Sequence, residues 1–387
     1  MHTVSLSPNL LGSQIADWWL GRQFREADVV RCAYSDDMLA VSPEKEEEMS
    51  SETTTRSEVP TPAAVMDLSW TFYKVALIKA GLELGIWSRI ATGQRTAREM
   101  ARNEGWDPTG TRRLLDAFCG MGLLGKGKTG YHLTPVAEWY LLPDKPTYFG
   151  QAFLADLAWE GRGQLANAIR TGERPIMTGF TGEEKAAIWI GWYARRRAAP
   201  ERGLEEFDKL WQALNIEAHE GLRILDAACG TGVKSLSLAR HHPGVHVTLL
   251  DWPSMLEVAT EVTGKLGVSA QVTMLPGDLQ VVDYGQNRFD LVWFGNITHY
   301  YSPPDVVGLL RKAFRALVAG GLVVINAPVA DEARCEREDA LVAAMEMFVA
   351  SAEGDVYTFS EYRGFLEQAG FADVAQADED LIKAVKP

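Results

Sequence analysis

The spacing of apolar residues changes character near Glu220. Between Ala63 and about Leu142, apolar side chains recur at helical intervals, as in the run from Val75-Ala76-Leu77-Ile78 to Leu84-Gly85-Ile86-Trp87. Thr96 is placed to cap a helix beginning Ala97-Arg98-Glu99, and another helix is expected from Thr109 through Phe118, ending near Gly120 or Gly122. Turn residues at Thr92-Gly93-Gln94, Asp107-Pro108 and Lys126-Gly127-Lys128-Thr129-Gly130 divide this stretch into three helices and a short hairpin. From about residue 145 to 215 the pattern stays mainly helical and aromatic-rich, with Phe149, Phe153, Trp159, Phe180, Trp189, Trp192, Tyr193 and Trp211. Beyond Glu220, short apolar strands alternate with amphipathic helices, the pattern of a parallel sheet covered on both faces.

Four segments follow: an N-terminal extension and linker (1–60), a mainly helical unit (61–145), a helical connector (146–218) and an α/β domain (219–387). The helical unit has the element order of a winged helix. Residues 42–55 are polar and rich in Glu, Ser and Thr, which marks a linker. Upstream, Leu11, Ile15, Trp18, Trp19 and Phe24 are spaced for one short amphipathic helix; the alternative is that Met49 is the true start.

The chain carries 38 Lys and Arg against 52 Asp and Glu, a net charge of -14, which disfavours phosphate backbones and anionic membranes. For the winged helix, this balance favours subunit pairing over DNA binding, so a homodimer is expected. The four cysteines, Cys32, Cys119, Cys229 and Cys335, form no CxxC pair, which speaks for a reducing, cytoplasmic setting without a structural zinc. No export signal and no membrane span are read from the apolar runs.

The chemistry concentrates after residue 222. Arg223-Ile224-Leu225-Asp226-Ala227-Ala228-Cys229-Gly230-Thr231-Gly232 is an apolar strand running into a glycine-bearing turn, followed by a helix from Val233 to Arg240. Gly230 and Gly232 allow backbone to approach a ligand, and Asp226 stands at the strand end. His246-Val247-Thr248-Leu249-Leu250-Asp251 is a second strand ending in a carboxylate 25 residues after Asp226, the spacing of a ribose-diol acceptor. The third glycine of a dinucleotide turn is missing, while Pro276-Gly277-Asp278-Leu279 and Arg288-Phe289-Asp290-Leu291-Val292-Trp293 add two further strand-and-turn pieces.

On these motifs the chain, from about Ala63 to Pro387, resembles the class I S-adenosylmethionine-dependent small-molecule O-methyltransferases with an N-terminal winged-helix dimerisation domain. The resemblance implies a Rossmann-like, mostly parallel seven-stranded sheet flanked by helices. It also implies that Asp226, Ala228, Gly230 and Gly232 line the methionine end of S-adenosylmethionine, that Asp251 holds the ribose hydroxyls, and that Asp278 with Leu279 contacts adenine. Trp252 either packs on the adenine face or belongs to the core. Ala228 departs from the glycine more usual in the family's DxGxGxG turn, and its methyl is small enough for binding to survive.

The segment Asn296-Ile297-Thr298-His299-Tyr300-Tyr301-Ser302 follows a strand and precedes a helix from Val306 to Leu317, the position where open α/β sheets place their chemistry. His299 matches the family's histidine base, and an imidazole of ordinary pKa ~6.5 is able to accept a hydroxyl proton near neutrality. Three departures weaken that base: Tyr300-Tyr301 replaces Asp-Trp, Asn326 stands where many members carry an acid, and Val356 occupies the place of the glutamate that steadies the histidine.

For the acceptor, the resemblance points to Trp192, Trp293, Phe294, Tyr300 and Met345, with Trp189, Tyr193, Tyr301 and Phe348 as further wall residues. Aromatic walls suit a flat, apolar molecule. Arg195-Arg196-Arg197 either meets an anion or forms a solvated face. The first expectation is methyl transfer to a hydroxyl of an aromatic or polyketide-like small molecule, without metal. The rivals are carbon methylation of a planar ring such as a tetrapyrrole, a non-methylating cofactor-binding relative, and a ligand-sensing winged-helix regulator.

Overall fold

A computed structural model describes residues 62–387, except 146, 155–160, 175–179, 194, 195, 198, 203 and 352. The N-terminal extension, with its expected amphipathic helix and linker, therefore lies outside the described residues, as do Trp159 and Arg195.

The first helix, α1 (Ala63–Glu83), leads into α2 (Ile86–Ala91), α3 (Ala97–Glu104) and α4 (Pro108–Gly120). Local chemistry sets these boundaries. Thr96 Oγ1 accepts the Glu99 N–H at 3.2 Å, Asp107 caps α4 ahead of Pro108, and Gly105 ends α3 in a left-handed conformation. Strands β1 (Leu124–Gly127) and β2 (Gly130–Leu133) then form an antiparallel hairpin. Trp87 and Phe118, with ring centroids 4.9 Å apart, centre a separate small core with Ile86, Met100, Leu115 and Tyr131. Helices α2, α3 and α4 with the hairpin share one apolar centre in winged-helix order, while four helices precede the hairpin where the turns predicted three, because Gly85 breaks the first run into α1 and α2.

A short helix α5 (Pro135–Tyr140) completes the helical unit, and the connector contributes α6 (Gln151–Leu154), α7 (Leu165–Thr171), α8 (Gly182–Trp192) and α9 (Leu204–Ala213). Thr181 starts α8 with a reciprocal capping box to Glu184.

The remainder alternates strand and helix: β3 (Arg223–Ala227), α10 (Val233–His241), β4 (His246–Asp251), α11 (Pro253–Leu266), β5 (Val272–Pro276), β6 (Phe289–Gly295), α12 (Pro303–Ala316) and β7 (Leu317–Asn326). It closes with α13 (Glu338–Ala350), α14 (Phe359–Ala369), β8 (Ala372–Asp378) and β9 (Leu381–Val385). The seven strands lie in the order β5-β4-β3-β6-β7-β9-β8, and β9 runs antiparallel to both its neighbours. The chain leaves β3 in one direction through β4 and β5, then returns to the other side of β3 with β6. Such a reversal opens a crevice at the carboxyl ends of β3 and β6, where open α/β sheets bind ligands.

Both sheet faces are covered, as the near-continuous apolar strands require. Leu225, Val292, Phe294, Val323 and Ile325 pack on one side beneath α12 and α14, while Ile224, Val247, Leu249, Leu291, Trp293 and Val324 pack on the other beneath α9, α10 and α11. Among the described residues, no helix is long and apolar enough to cross a membrane.

Candidate functional site

The glycine turn after β3 is pinned to β4: the N–H groups of Ala228 and Cys229 both donate to the Leu250 carbonyl, at 2.9 and 3.1 Å. Ala228 (φ 63°), Gly230 (φ 57°) and Gly232 (φ 70°) all adopt left-handed backbone. For alanine that conformation costs roughly 1–2 kcal/mol. At Gly230 the requirement is also spatial, because a Cβ would lie 2.9 Å from the Tyr193 ring just past the end of α8. The turn thus presents bare backbone to a cavity.

That cavity, about 100 Å³, is lined by Tyr193, Arg196, Asp226, Lys234, Trp293 and Asn296 together with the turn itself. Asp226 is buried at its floor and accepts a hydrogen bond from Ser235 Oγ. Burial raises its pKa to about 7, partly opposed by Ser235 and by the Lys234 charge. Asp251 stands at the end of β4, its Oδ2 accepting from the Gly230 N–H and its Oδ1 from the Trp252 N–H, both at 2.8 Å. Its pKa rises to about 6, again chiefly from burial. Each of its oxygens keeps a second lone pair for further donors. Tyr193 faces these groups; burial and the charges of Asp251, Cys229 and Asp226 push its phenol up to about 12.

On the next loop, Asp278 is exposed and its Oδ1 accepts the Gln280 N–H at 2.7 Å, while the Leu279 side chain joins the core. The Leu279 carbonyl receives two donors at 2.8 Å, Tyr284 Oη and Lys312 Nζ, which fix the loop from α12. Trp252 is half-buried under the start of α8, where a Cβ on Gly182 would meet its indole nitrogen at 2.4 Å.

His299 lies in a single 3₁₀ turn, Thr298–Tyr300, just beyond β6 and is only 7% exposed. Its Nδ1 is buried without a hydrogen-bond partner, and desolvation lowers its pKa to about 4. The Tyr300 ring sits 4.7 Å from the imidazole and meets Trp189 edge-on at 5.6 Å. Tyr300 is buried enough for its phenol to be pushed far above the ordinary range, with Glu346 and Tyr193 adding to the effect. The C-terminal segment clamps this turn. Tyr357 Oη donates to the Tyr301 carbonyl at 2.6 Å, Thr298 Oγ1 and Tyr362 Oη share a hydrogen bond of 2.8 Å, and Gly354 packs against the His299 carbonyl. Val356 does not substitute for an acidic partner; it is fully buried with Ala330 and Ala340.

Two expected wall residues are corrected. Phe294 is 0% exposed in the core under α12, and Trp293, at 1%, packs on Trp211 with centroids 4.9 Å apart and reaches only the cofactor-side cavity. Neither has surface left for an acceptor. Neighbouring strand residues alternate faces, and here both faces are interior. By contrast, Met345 and Trp192 keep 39% and 42% of their surface, the latter against Phe149 at 5.7 Å. The arginine run splits as helical directions require: Arg196 lines the cavity and packs over Phe207, whereas Arg197 pairs with Glu261. Lys234, Lys312 and Tyr284 were absent from the sequence-based site. For Lys234 a signal was present, since a lysine in the first turn of a helix opposes the helix dipole.

Known proteins agree with this architecture. Residues 224–321 match a methyltransferase domain family, and residues 66–143 match an O-methyltransferase dimerisation domain. The chain is 29% identical to the tetracenomycin polyketide synthesis 8-O-methyl transferase of Streptomyces glaucescens, over 83% of this chain and 94% of the relative. It is 26% identical to the 3-hydroxy-5-methyl-1-naphthoate 3-O-methyltransferase of Streptomyces sahachiroi, over 81% and 90%. Human N-acetylserotonin methyltransferase, solved in complex with S-adenosylmethionine, shares the fold with a TM-score of 0.65 at 20% identity, covering 86% of this chain and 99% of that one.

A doubly covered sheet with a bare glycine turn, two strand-end carboxylates and this match defines a class I S-adenosylmethionine-dependent methyltransferase. Within that class, the chain is similar to the O-methyltransferases that carry an N-terminal dimerisation domain, which matches residues 66–143.

Proposed function

We propose that this O-methyltransferase transfers the methyl group of S-adenosylmethionine to a phenolic hydroxyl of an aromatic or polyketide-like small molecule, with His299 as the base. The observation that carries this reading is the placement of a buried imidazole against the Tyr300 ring, which itself meets Trp189, on the loop whose first residues, Gly295 and Asn296, line the glycine-turn cavity. The relatives named for a tetracenomycin polyketide and a naphthoate support the acceptor class.

The residues fit the cofactor. Its methionine end suits the cavity over Gly230, its ribose diol suits the free lone pairs of Asp251, and its adenine suits the loop of Asp278 that Tyr284 and Lys312 hold. When bound, it supplies an electrophilic methyl group on a positively charged sulfur. His299 accepts the proton of the acceptor hydroxyl as the oxygen attacks, and the aromatic surroundings exclude water and orient a flat ring. Because the methyl is handed over in a direct displacement, alignment by these walls supplies much of the acceleration, with the base adding to it.

The test is incubation with methyl-labelled S-adenosylmethionine and a panel of phenols, hydroxylated polyketides and porphyrins. Label on the oxygen of a hydroxylated arene is the expected result; label on carbon, or none on any acceptor, overturns the reading.

Cofactor affinity should depend on pH. Asp251 accepts both ribose hydroxyls when ionised, and its raised pKa lets a proton compete for one of its oxygens below about 6. The Kd for S-adenosylhomocysteine is expected to rise about tenfold per pH unit below pH 6. A flat Kd between pH 7.5 and 5 in calorimetry contradicts the assignment.

The clamp on His299 is also testable. A Cβ at Gly354 would lie 2.4 Å from the His299 carbonyl oxygen and from Ser351 Oγ. Gly354→Ala is expected to lower the unfolding free energy by about 1–3 kcal/mol in a denaturant titration. Stability equal to wild type would show that the turn yields freely.

Two copies pair through α1. Its Val65, Leu68, Trp70 and Tyr73 are 58–72% exposed within the dimerisation-domain match or at its edge, apolar surface around the helix that water disfavours.

A further inference from the structure

Given His299 as the base, a reading on which this inference rests, we propose that Tyr357 and Tyr362 are its positioning residues. From one platform at the start of α14 they grip the turn on either side of the base, and so supply the orientation that no side chain gives the imidazole directly.

The imidazole needs such support. Its Nδ1 is sealed from solvent without a hydrogen-bond partner. With that nitrogen unheld, only the backbone beneath the ring and the rings packed around it decide where its nitrogens point. That backbone is a single 3₁₀ turn, closed by the Tyr300 N–H on the Ile297 carbonyl at 3.0 Å and the Tyr301 N–H on the Thr298 carbonyl at 3.2 Å. Hydrogen bonds of this kind have poorer geometry than those of an α-helix, so the turn does not hold itself firmly.

The two phenols hold it from outside. Tyr362 Oη shares a hydrogen bond of 2.8 Å with Thr298 Oγ1, one residue before His299, and Tyr357 Oη donates to the Tyr301 carbonyl at 2.6 Å, two residues after it. Thr298, Tyr357 and Tyr362 are all buried, where a polar group left unpaired is expensive. Burial also pushes both phenols above their ordinary range, so their hydroxyl protons stay in place at any working pH. The platform is stiff in its own right. Tyr357, Tyr362 and Phe365 meet edge-on with centroids 5.1 to 6.1 Å apart, and Thr358 with Glu361 forms a capping box at the start of α14. Arg334 ties the two together, donating to the Val356 carbonyl at 3.0 Å and to Glu361 at 2.7 Å. A shift of this platform carries residues 298 and 301 with it, and a base displaced by ~1 Å loses much of its effect.

The test is a double-mutant cycle on the full chain, reading kcat at saturating S-adenosylmethionine with the arene that accepts label in the panel above, beside the Kd for S-adenosylhomocysteine. Tyr357→Phe and Tyr362→Phe keep the packed rings and remove one hydroxyl each. Each is expected to lower kcat about 3- to 10-fold, with the Kd within about twofold of wild type. In a His299→Gln background the same changes are expected to leave kcat unaltered, because the base they orient is gone. Equal losses in both backgrounds overturn the proposal, since the phenols then serve the fold at large. Thr298→Val added to Tyr362→Phe removes the stranded hydroxyl; the denaturant midpoint is expected to return close to wild type while kcat stays low. Recovery of kcat along with the midpoint overturns the proposal as well. One readout needs no turnover. In protein labelled with ¹⁵N-histidine, the His299 imidazole, assigned through His299→Gln, is expected to give one sharp signal in wild type and a broadened or doubled one in both phenylalanine variants. If wild type methylates no hydroxylated arene, the functional reading falls, and an imidazole signal unchanged in the variants would sink the grip separately.

Discussion

Replacing His299 with glutamine is expected to lower kcat/KM for a phenolic acceptor about 10²-fold, while the Kd for S-adenosylhomocysteine stays within about twofold of wild type. The magnitude follows from the environment. General bases contribute ~10²- to 10⁴-fold, and most when their pKa lies near the working pH. Desolvation holds His299 at about 4, with no acidic partner to raise it, so the low end of that range applies. The sign of the pH dependence is equally definite. The neutral imidazole is the active form, its pKa is depressed, and protonation sets in only near pH 4. At saturating cofactor, kcat is therefore expected to stay level from pH 8 down to about 5. A profile falling with an apparent pKa near 6.5 would show an ordinary, solvated histidine. A loss below about threefold in the variant would leave positioning alone to account for the rate.

Charges on the exposed apolar turns at the start of α1 should have an even larger effect, on assembly. Each apolar side chain of this size contributes about 1.5–3 kcal/mol when buried, and Leu68 and Trp70 stand 67% and 61% exposed. Leu68→Glu with Trp70→Glu places four carboxylates in a two-fold interface, where each unpaired buried charge costs several kcal/mol. The dimer Kd is expected to rise on the order of 10³-fold or more, read as a shift to the monomer mass in sedimentation at micromolar concentration. A dimer that persists unchanged would place the interface elsewhere.

The sheet and its ligand crevice were legible because their signals are local. An apolar strand ending in Asp226, the turn of Gly230 and Gly232, and a second strand ending in Asp251 are each written in consecutive residues, and β3, β4 and α10 lie where those residues put them. Caps at Thr96 and Asp107 were legible for the same reason. What stayed hidden depends on which face a residue takes or on what the fold brings near. Trp293 and Phe294 read as pocket aromatics, yet adjacent positions on a strand covered on both faces both enter the core. The cluster of Lys234, Asn326, Tyr193 and Arg196 joins four separate parts of the chain, and no spacing rule connects them. The missing partner of His299 was foreseeable at Val356, but its consequence, an imidazole held neutral far below the usual pH, emerges only with burial.

The place of β9 between β7 and β8 bears on how the molecule is made. β7 spans residues 317–326, but the strand that covers its open edge spans 381–385 and arrives from the opposite direction. During synthesis the parallel part of the sheet can be complete while β7 still offers unpaired N–H and C=O groups to any passing strand. Residues 372–385 are thus a closing seam, and their slow emergence leaves a sticky border exposed. Aggregation on overproduction is expected to track the completion of this seam more than the stability of the finished enzyme.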